Sequence, residues 1–495
     1  MTEQQSLAET TVKRFAVLAA AAGLSTWAID SAATQVGLPS MQVALGISVT
    51  ASQWILNIAL MVLAGFVTVG GALGDRQGRT RVFRWGLVLI LAGAAVTFAG
   101  GLLGQFAVVL GGRALEGLGA AFMLPASTAL LIDVFSQQER GGAQGRMMMI
   151  SMTVTAFAPT LLGLVIQYIS WPFAYLFVVG AAVIAFFLVG RVNYPQVKPQ
   201  PTSFDYQGSL LLLLAVVLLT FGIMQAGILG FSSPSVLLLV AGGLLAGVAL
   251  VLLSLREDKP LIQFRLLTIR NVAIAMFVSL MRFLPNVLMG AFVARYVQQV
   301  LGLSPTVTGL LMIVPVLAQV VAAPVAGKML DKGGPRQPVS LGVGLLVAGL
   351  VTLAIGFPAQ NLWLVIIGTV VGGAGFAFTN PVQIAALNQT PLEQRGMLAG
   401  LMPLAGQFGT TLWVALVTAG LGIFMARELA GGAESEAAAQ ASALGTITWI
   451  AVGVTLVTLV VSLMLRNVDA PANDLATGQG TQNEERGTPK RGTTT

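Results

Sequence analysis

The sequence predicts an all-α integral membrane protein with 14 transmembrane helices, on three observations. Hydrophobic residues make up 56% of the 495 and charged residues only 9%, too little charge to cover a soluble domain of this size. The apolar residues fall into about fourteen stretches of roughly twenty, each long enough to cross a bilayer as a helix. The 26 Lys and Arg are also sorted by side. An even number of crossings puts both termini on one side. All basic residues then lie in loops and tails on that side except four: Arg295 and Arg427 near the other face, and Arg113 and Arg282 inside stretches. Basic residues mark the cytoplasmic side. The expectation is a multi-pass protein of the plasma (inner) membrane with both termini cytoplasmic. One helix more or fewer would scatter the charges over both sides.

The expected spans follow in order. The first, 14–38, comes after a polar dozen residues with no cleavable leader pattern, so it is expected to remain. Spans 52–73 and 81–101 flank the loop carrying Arg76, Arg79 and Arg81; spans 105–134 and 143–168 flank Arg140 and Arg146; span 173–192 ends at Arg191. Spans 208–229 and 235–255 precede segment 258–271, which mixes Leu, Ile and Phe with Arg and is expected to lie along the membrane surface. The remaining spans are 272–295, 307–330, 339–357, 362–389, 397–425 and 443–465. The 58 Gly suit close helix approach through small-residue faces.

Composition also excludes. There is no Cys and no His, so disulfides, thiolate sites and histidine relays are ruled out and proton chemistry falls to carboxylates. No metal or other cofactor is expected, and no Ser has a base partner, so an enzyme is not expected. No phosphate-binding G-x-x-x-x-G-K-(S/T) loop occurs, which argues against drive by ATP. The net charge of +7 is a topology signal rather than a nucleic-acid footprint.

The chain repeats itself. GALGDRQGR from Gly71 matches GKMLDKGGP from Gly327, placing Asp75 over Asp331, and GLGAAFMLP ending at Pro125 matches the segment ending at Pro381, both at an offset of 256. ERGGAQG (139–145) matches QRGMLAG (394–400) at 255. The implied organisation is a cytoplasmic N-terminus (1–13), a six-helix bundle (14–192), a linker with two extra helices and the interfacial segment (193–271), a second six-helix bundle (272–466) and a disordered tail (467–495). Parallel repeats of this kind point to a transporter with its substrate site at mid-membrane between the halves.

Several motifs carry a family resemblance. The loop after the second span reads Gly71-Ala-Leu-Gly-Asp75-Arg76-Gln-Gly78-Arg79-Thr-Arg81. The first span carries Asp30, Thr34 and Leu38-Pro39; the fourth opens with Arg113-Ala-Leu-Glu116-Gly117-Leu-Gly119-Ala120; the second half supplies Gln298, Gly302, Ser304-Pro305, Gly309 and Pro315; Asp205-Tyr-Gln-Gly208 precedes the seventh span. In these the chain resembles the fourteen-helix drug:proton antiporter branch of the major facilitator superfamily. It departs in the fifth span, where G-P-x-x-G-G reads Ala158-Pro159-Thr-Leu-Leu162-Gly163, at Glu116, where the family has Gln, and in the second-half loop, which lacks the final Gly-Arg pair.

The resemblance implies the major facilitator fold: two pseudo-symmetric six-helix bundles plus two inserted helices. It also implies gating by Gly71, Asp75, Arg76, Gly78, Arg79 and Asp331, Asp75 meeting a helix N-terminus of the other half, and an antiporter element at Pro159 and Gly163. From the residues themselves, Asp30 and Glu116 are carboxylates inside spans, expensive there and functional by default. Arg113 and Glu116, at i and i+3, share a helix face. Desolvation favours the neutral form of a carboxyl and a nearby guanidinium the charged one. These three residues are therefore the candidates for proton coupling, a static ion pair being the alternative for Glu116. Thr34, Asn57, Arg282, Asn286, Gln319, Asn380, Gln383 and Gln407 are candidates for the substrate cavity, or alternatively for interhelical hydrogen bonding.

The function these readings imply is proton-coupled secondary export of lipophilic or amphiphilic compounds, of the multidrug type, by alternating access. The alternative is movement of lipid-like metabolites or organic anions by the same fold, as an exporter or a symporter, with an anionic head group meeting Arg282. A transport-inactive sensor is a further alternative. Protons, membrane lipids and a small lipophilic or amphiphilic substrate are the expected partners; nucleic acid is not, and a monomer is expected.

Overall fold

The computed structural model describes residues 3–135, 139–191, 205–257, 262–390 and 392–467. The tail beyond 467, residues 192–204 of the linker and 258–261 of the interfacial segment lie outside them. The described chain is helical throughout, without strands, and holds 14 helices long and apolar enough to span a membrane.

The first bundle comprises α1 (Glu3–Ala44), α2 (Val49–Gln77), α3 (Arg79–Leu102), α4 (Phe106–Val134), α5 (Arg140–Tyr168) and α6 (Ala174–Gly190). Next come α7 (Tyr206–Leu229) and α8 (Pro234–Arg256). A 3₁₀ turn at Phe264–Thr268 follows, tucking Leu266 into a cluster with Val272, Val339 and Leu465. The second bundle comprises α9 (Arg270–Gln299), α10 (Pro305–Gly333), α11 (Arg336–Gly356), α12 (Leu362–Leu387), α13 (Leu392–Ala430) and α14 (Glu436–Leu463). Several helices outrun their apolar spans, α1 and α13 most, because a helix satisfies its own backbone and continues through polar residues past the bilayer. Successive spans alternate in direction. One end of the molecule, here the terminal end, holds Arg14, Arg79, Lys332 and Arg466; the other, the far end, holds the short α1–α2 and α9–α10 connections.

Close approach of backbones builds each bundle, and the same offset governs both. In the first, a Cβ on Gly86 would stand 2.7 Å from the Gly119 carbonyl oxygen and one on Gly93 2.7 Å from that of Gly112, so α3 and α4 touch backbone to backbone. In the second, Gly342 meets Gly375 at 2.8 Å and Gly349 meets Gly368 at 2.7 Å between α11 and α12. Each second-bundle glycine lies 256 residues after its counterpart. Without a hydrophobic drive between helices in lipid, such small-residue contacts hold them together.

At the far end the bundles are joined. The Gln298 amide donates to the Val36 carbonyl (2.8 Å), and Arg295 donates to Gln42 (2.9 Å) and Ser52 (3.4 Å). Where α5 meets α10, the Pro305 carbonyl lies over Gly163 and the Pro159 carbonyl over Gly309, with no space for a Cβ on either glycine. Near mid-membrane, Thr411 of α13 donates to the Leu60 carbonyl of α2 (3.2 Å). Helix α7 packs against both α2 and α13 and covers the seam between them. At the terminal end, Gly78 takes φ of +97° and lets the chain turn directly from α2 into α3.

Helix α9 is not continuous. Its first stretch ends at Met281, because Pro285 has no N–H to return to the carbonyl four residues back. A π-helical stretch, Leu288–Phe292, follows before α-geometry resumes; such bulges recur at functional sites.

Candidate functional site: a buried ion cluster behind a central cavity

Between the bundles lies a cavity of about 510 Å³. Its walls come from α1 (Trp27, Ser31, Gln35), α5 (Met148, Ser151, Met152, Thr155, Pro159), α9 (Asn286, Met289, Gly290), α10 (Met312, Pro315, Gln319) and α12 (Gly373, Phe376). It lies on the terminal side of the α5–α10 contact, and Met148 and Met152 are exposed there. Among the described residues no charged side chain lines it.

The intramembrane carboxylates sit behind this cavity, inside the first bundle. Helix α1 turns Trp27, Ser31 and Gln35 to the cavity and Asp30 and Thr34 to the bundle interior. Arg113 on α4 donates to Asp30 Oδ1 at 2.5 Å, to Glu116 Oε2 one turn along, and through Nε to the Ile55 carbonyl at 3.0 Å. The Thr97 hydroxyl donates to Glu116 Oε1 at 3.0 Å, and Gly93 leaves the room that lets Glu116 lie against α3. The guanidinium lies 5.9 Å from the ring centre of Tyr175, whose hydroxyl is 3.0 Å from Thr34 Oγ1. Asp30, Glu116 and Arg113 are at most 1% exposed. Asp30 Oδ2 and both side-chain polar atoms of Asn57 are buried without hydrogen-bond partners.

The three residues singled out for proton chemistry therefore meet at one guanidinium. Of the polar positions expected at a cavity, Asn286 and Gln319 line it, whereas Thr34 and Asn57 lie inside the first bundle. Asn380 accepts from Arg282 (2.8 Å), Gln383 is half-buried away from the lining, and the Gln407 side chain lies outside the described residues. Arg76 donates to the Tyr206 hydroxyl of α7 (2.7 Å) and Arg79 to the Ala129 carbonyl of α4 (3.3 Å); Gly71 borders open space. The side chains of Asp75 and Asp331 lie outside the described residues. Sequence reasoning missed Tyr175, Thr97 and the methionines. It did place Arg295 near the far face, but not as a buried link between bundles.

Two helical bundles around a mid-membrane cavity, with an ion cluster in one wall, define a secondary carrier. Solved structures agree in fold: an auto-inhibited POT family peptide transporter superposes with a TM-score of 0.68 over 92% of this chain and 98% of its own at 16% identity. A D-xylose-proton symporter does so with 0.64 over 91% and 97% at 14%. Residues 16–286 and 272–491 each match the Major Facilitator Superfamily profile, and the chain belongs to that family. It is 31% identical over 420 residues to the tetracenomycin C resistance and export protein of Streptomyces glaucescens, covering 83% of this chain and 75% of that one. It is also 31% identical over 435 residues to the drug efflux pump JefA of Mycobacterium tuberculosis, covering 84% and 83%. The riboflavin transporter RibZ of Clostridioides difficile is 24% identical over 452 residues, covering 89% and 95%.

Proposed function

We propose that this transporter exports lipophilic or amphiphilic compounds in exchange for protons, by alternating access. One observation carries the reading: α1 presents one face to the cavity and the other to the Asp30–Arg113–Glu116 cluster. A change of charge in the cluster therefore acts on a helix that also touches the substrate. Two carboxylates sharing one guanidinium carry a net charge of −1, which a single proton cancels. Low dielectric makes that change costly unless the surroundings shift with it. Protonation loosens one carboxyl from Arg113 and frees α1 to move relative to α4; deprotonation restores the grip.

The distribution of Lys and Arg supports a cytoplasmic position for the basic terminal end. The cavity then faces the cytoplasm, closed from outside by the α5–α10 contact and the Gln298 and Arg295 bonds. The cavity wall supports a broad substrate range. Four methionines (Met148, Met152, Met289 and Met312) line it, and flexible, polarisable thioethers adapt to differently shaped apolar ligands. The efflux relatives favour the same direction of transport.

The test is proton movement in proteoliposomes carrying an internal pH-sensitive dye under an imposed pH gradient. Adding a lipophilic substrate should trigger proton flux in the wild type and none in Asp30→Asn. Substrate movement at the wild-type rate in Asp30→Asn would reject coupling through this cluster.

A further inference from the structure

Arg282 is built differently from Arg113, and the difference suggests a ligand. Arg113 has two carboxylates and a carbonyl around it. Arg282, 8% exposed, has only neutral partners: Nη1 donates to Thr379 Oγ1 at 3.1 Å and Asn380 Oδ1 at 2.8 Å. Its Nε is buried with no partner, and among the described residues no carboxylate pairs with it. A guanidinium inside the bilayer without a counter-charge is costly to keep. Its place in α9 says what could supply that charge. Arg282 stands at the break in α9, four residues before Asn286, and Asn286, Met289 and Gly290 line the cavity wall beyond it. The guanidinium lies 4.7 Å from the ring centre of Phe376, itself a wall of the cavity, and 5.4 Å from that of Phe283.

We infer that Arg282 and Phe376 form the head-group site of the cavity and that its preferred ligand is an aromatic monoanion. The acidic oxygen takes the unpartnered Nε of Arg282, which is covered in this conformation and is uncovered as the ligand displaces the side chains around it, a charge-assisted bond stronger than a neutral one. The aromatic body lies against Phe376, where ring–ring contact adds to simple burial. The remaining wall, apolar and thioether-rich, takes the rest of the ligand without asking for a second charge. This rests on the cavity being the transport site proposed above and narrows its substrate class. A cation of the same shape meets like charge at Arg282 and is disfavoured.

Full-length protein in lipid nanodiscs would be titrated with pyrenebutyrate, its methyl ester and pyrenemethylammonium, following the part of the tryptophan-excited pyrene emission that is lost in Trp27→Phe, Trp27 lying in the cavity wall. The expected order is anion over ester by about tenfold or more, with the cation weakest. Arg282→Gln should remove the preference by lowering anion affinity far more than ester affinity; Arg282→Lys should keep its sign. Phe376→Leu should weaken pyrenebutyrate but not decanoate competing for the site, which tests the ring independently if Arg282→Gln does not fold. Equal binding of anion and ester by the wild type would overturn the head-group site alone and leave the efflux reading standing. Equal loss of anion and ester in a folded Arg282→Gln would also overturn it. Failure of every probe to bind the wild type would overturn the efflux reading and the head-group site together.

Discussion

At the scale of single residues, Arg113 is where stability and the proposed coupling meet. Removing it leaves Asp30 and Glu116 facing one another in a dry interior. Breaking a buried ion pair from one side costs about 3–5 kcal/mol. Arg113→Met should therefore lower thermal stability in detergent by that order. The triple variant Asp30→Asn, Arg113→Met, Glu116→Gln should regain most of the loss, since no unpaired charge remains, while showing no substrate-driven proton flux. A triple variant no more stable than Arg113→Met would mean that packing, not charge, sets the cost. Much of this cluster was legible in the chain: charges inside spans are rare enough to stand out, and i, i+3 spacing paired Arg113 with Glu116. Thr97 and Tyr175 were not legible. They are ordinary residues on α3 and α6, and nothing local says which neighbour a span will face. Thr34 carries two readings, cavity residue or interhelical hydrogen bond, and in the structure its hydroxyl meets that of Tyr175.

At the scale of elements, the contact between α5 and α10 is made by backbone, and backbone cannot yield as a side chain does. A Cβ at Gly309 would meet the Pro159 carbonyl and one at Gly163 the Pro305 carbonyl. Overpacking of this kind costs about 1–3 kcal/mol, or about 5- to 150-fold in a two-state equilibrium. Gly309→Val should weaken the far-end closure by a factor in that range. Labelling of a cysteine placed at Ser40 by an impermeant maleimide, applied from the far side, should rise accordingly. Unchanged labelling would show that the glutamine and Arg295 bonds suffice to hold the bundles together. Leu162, where the family motif has Gly, packs fully buried in the first-bundle core, and Gly163 keeps the close approach.

At the scale of the whole molecule, alternating access requires the two bundles to separate at the far end. The chain has no cysteine, so a disulfide placed across the seam would be the only one present. Gln42→Cys with Gln299→Cys replaces a pair whose side chains already meet at 2.9 Å across the far-end seam. Oxidation should stop transport and reduction restore it. Continued transport with the bridge formed would exclude a carrier cycle that opens there. The repeat at 256 residues made this architecture readable in advance, and the glycines where α3 meets α4 have counterparts where α11 meets α12. The position of the inserted pair was not readable, because nothing in an apolar helix names the seam it will cover.

That position makes the two sides of the carrier unequal toward lipid. Between α2 and α13 the membrane meets α7. Between α5 and α10 it meets the carrier directly, at exposed side chains such as Phe157, Leu161, Leu317 and Val321. A solute dissolved in the bilayer thus finds a walled flank and a bare one. If a substrate enters from the bilayer, its route to the cavity would run along that bare edge, and the acyl chains lying there would bear on which solutes reach it.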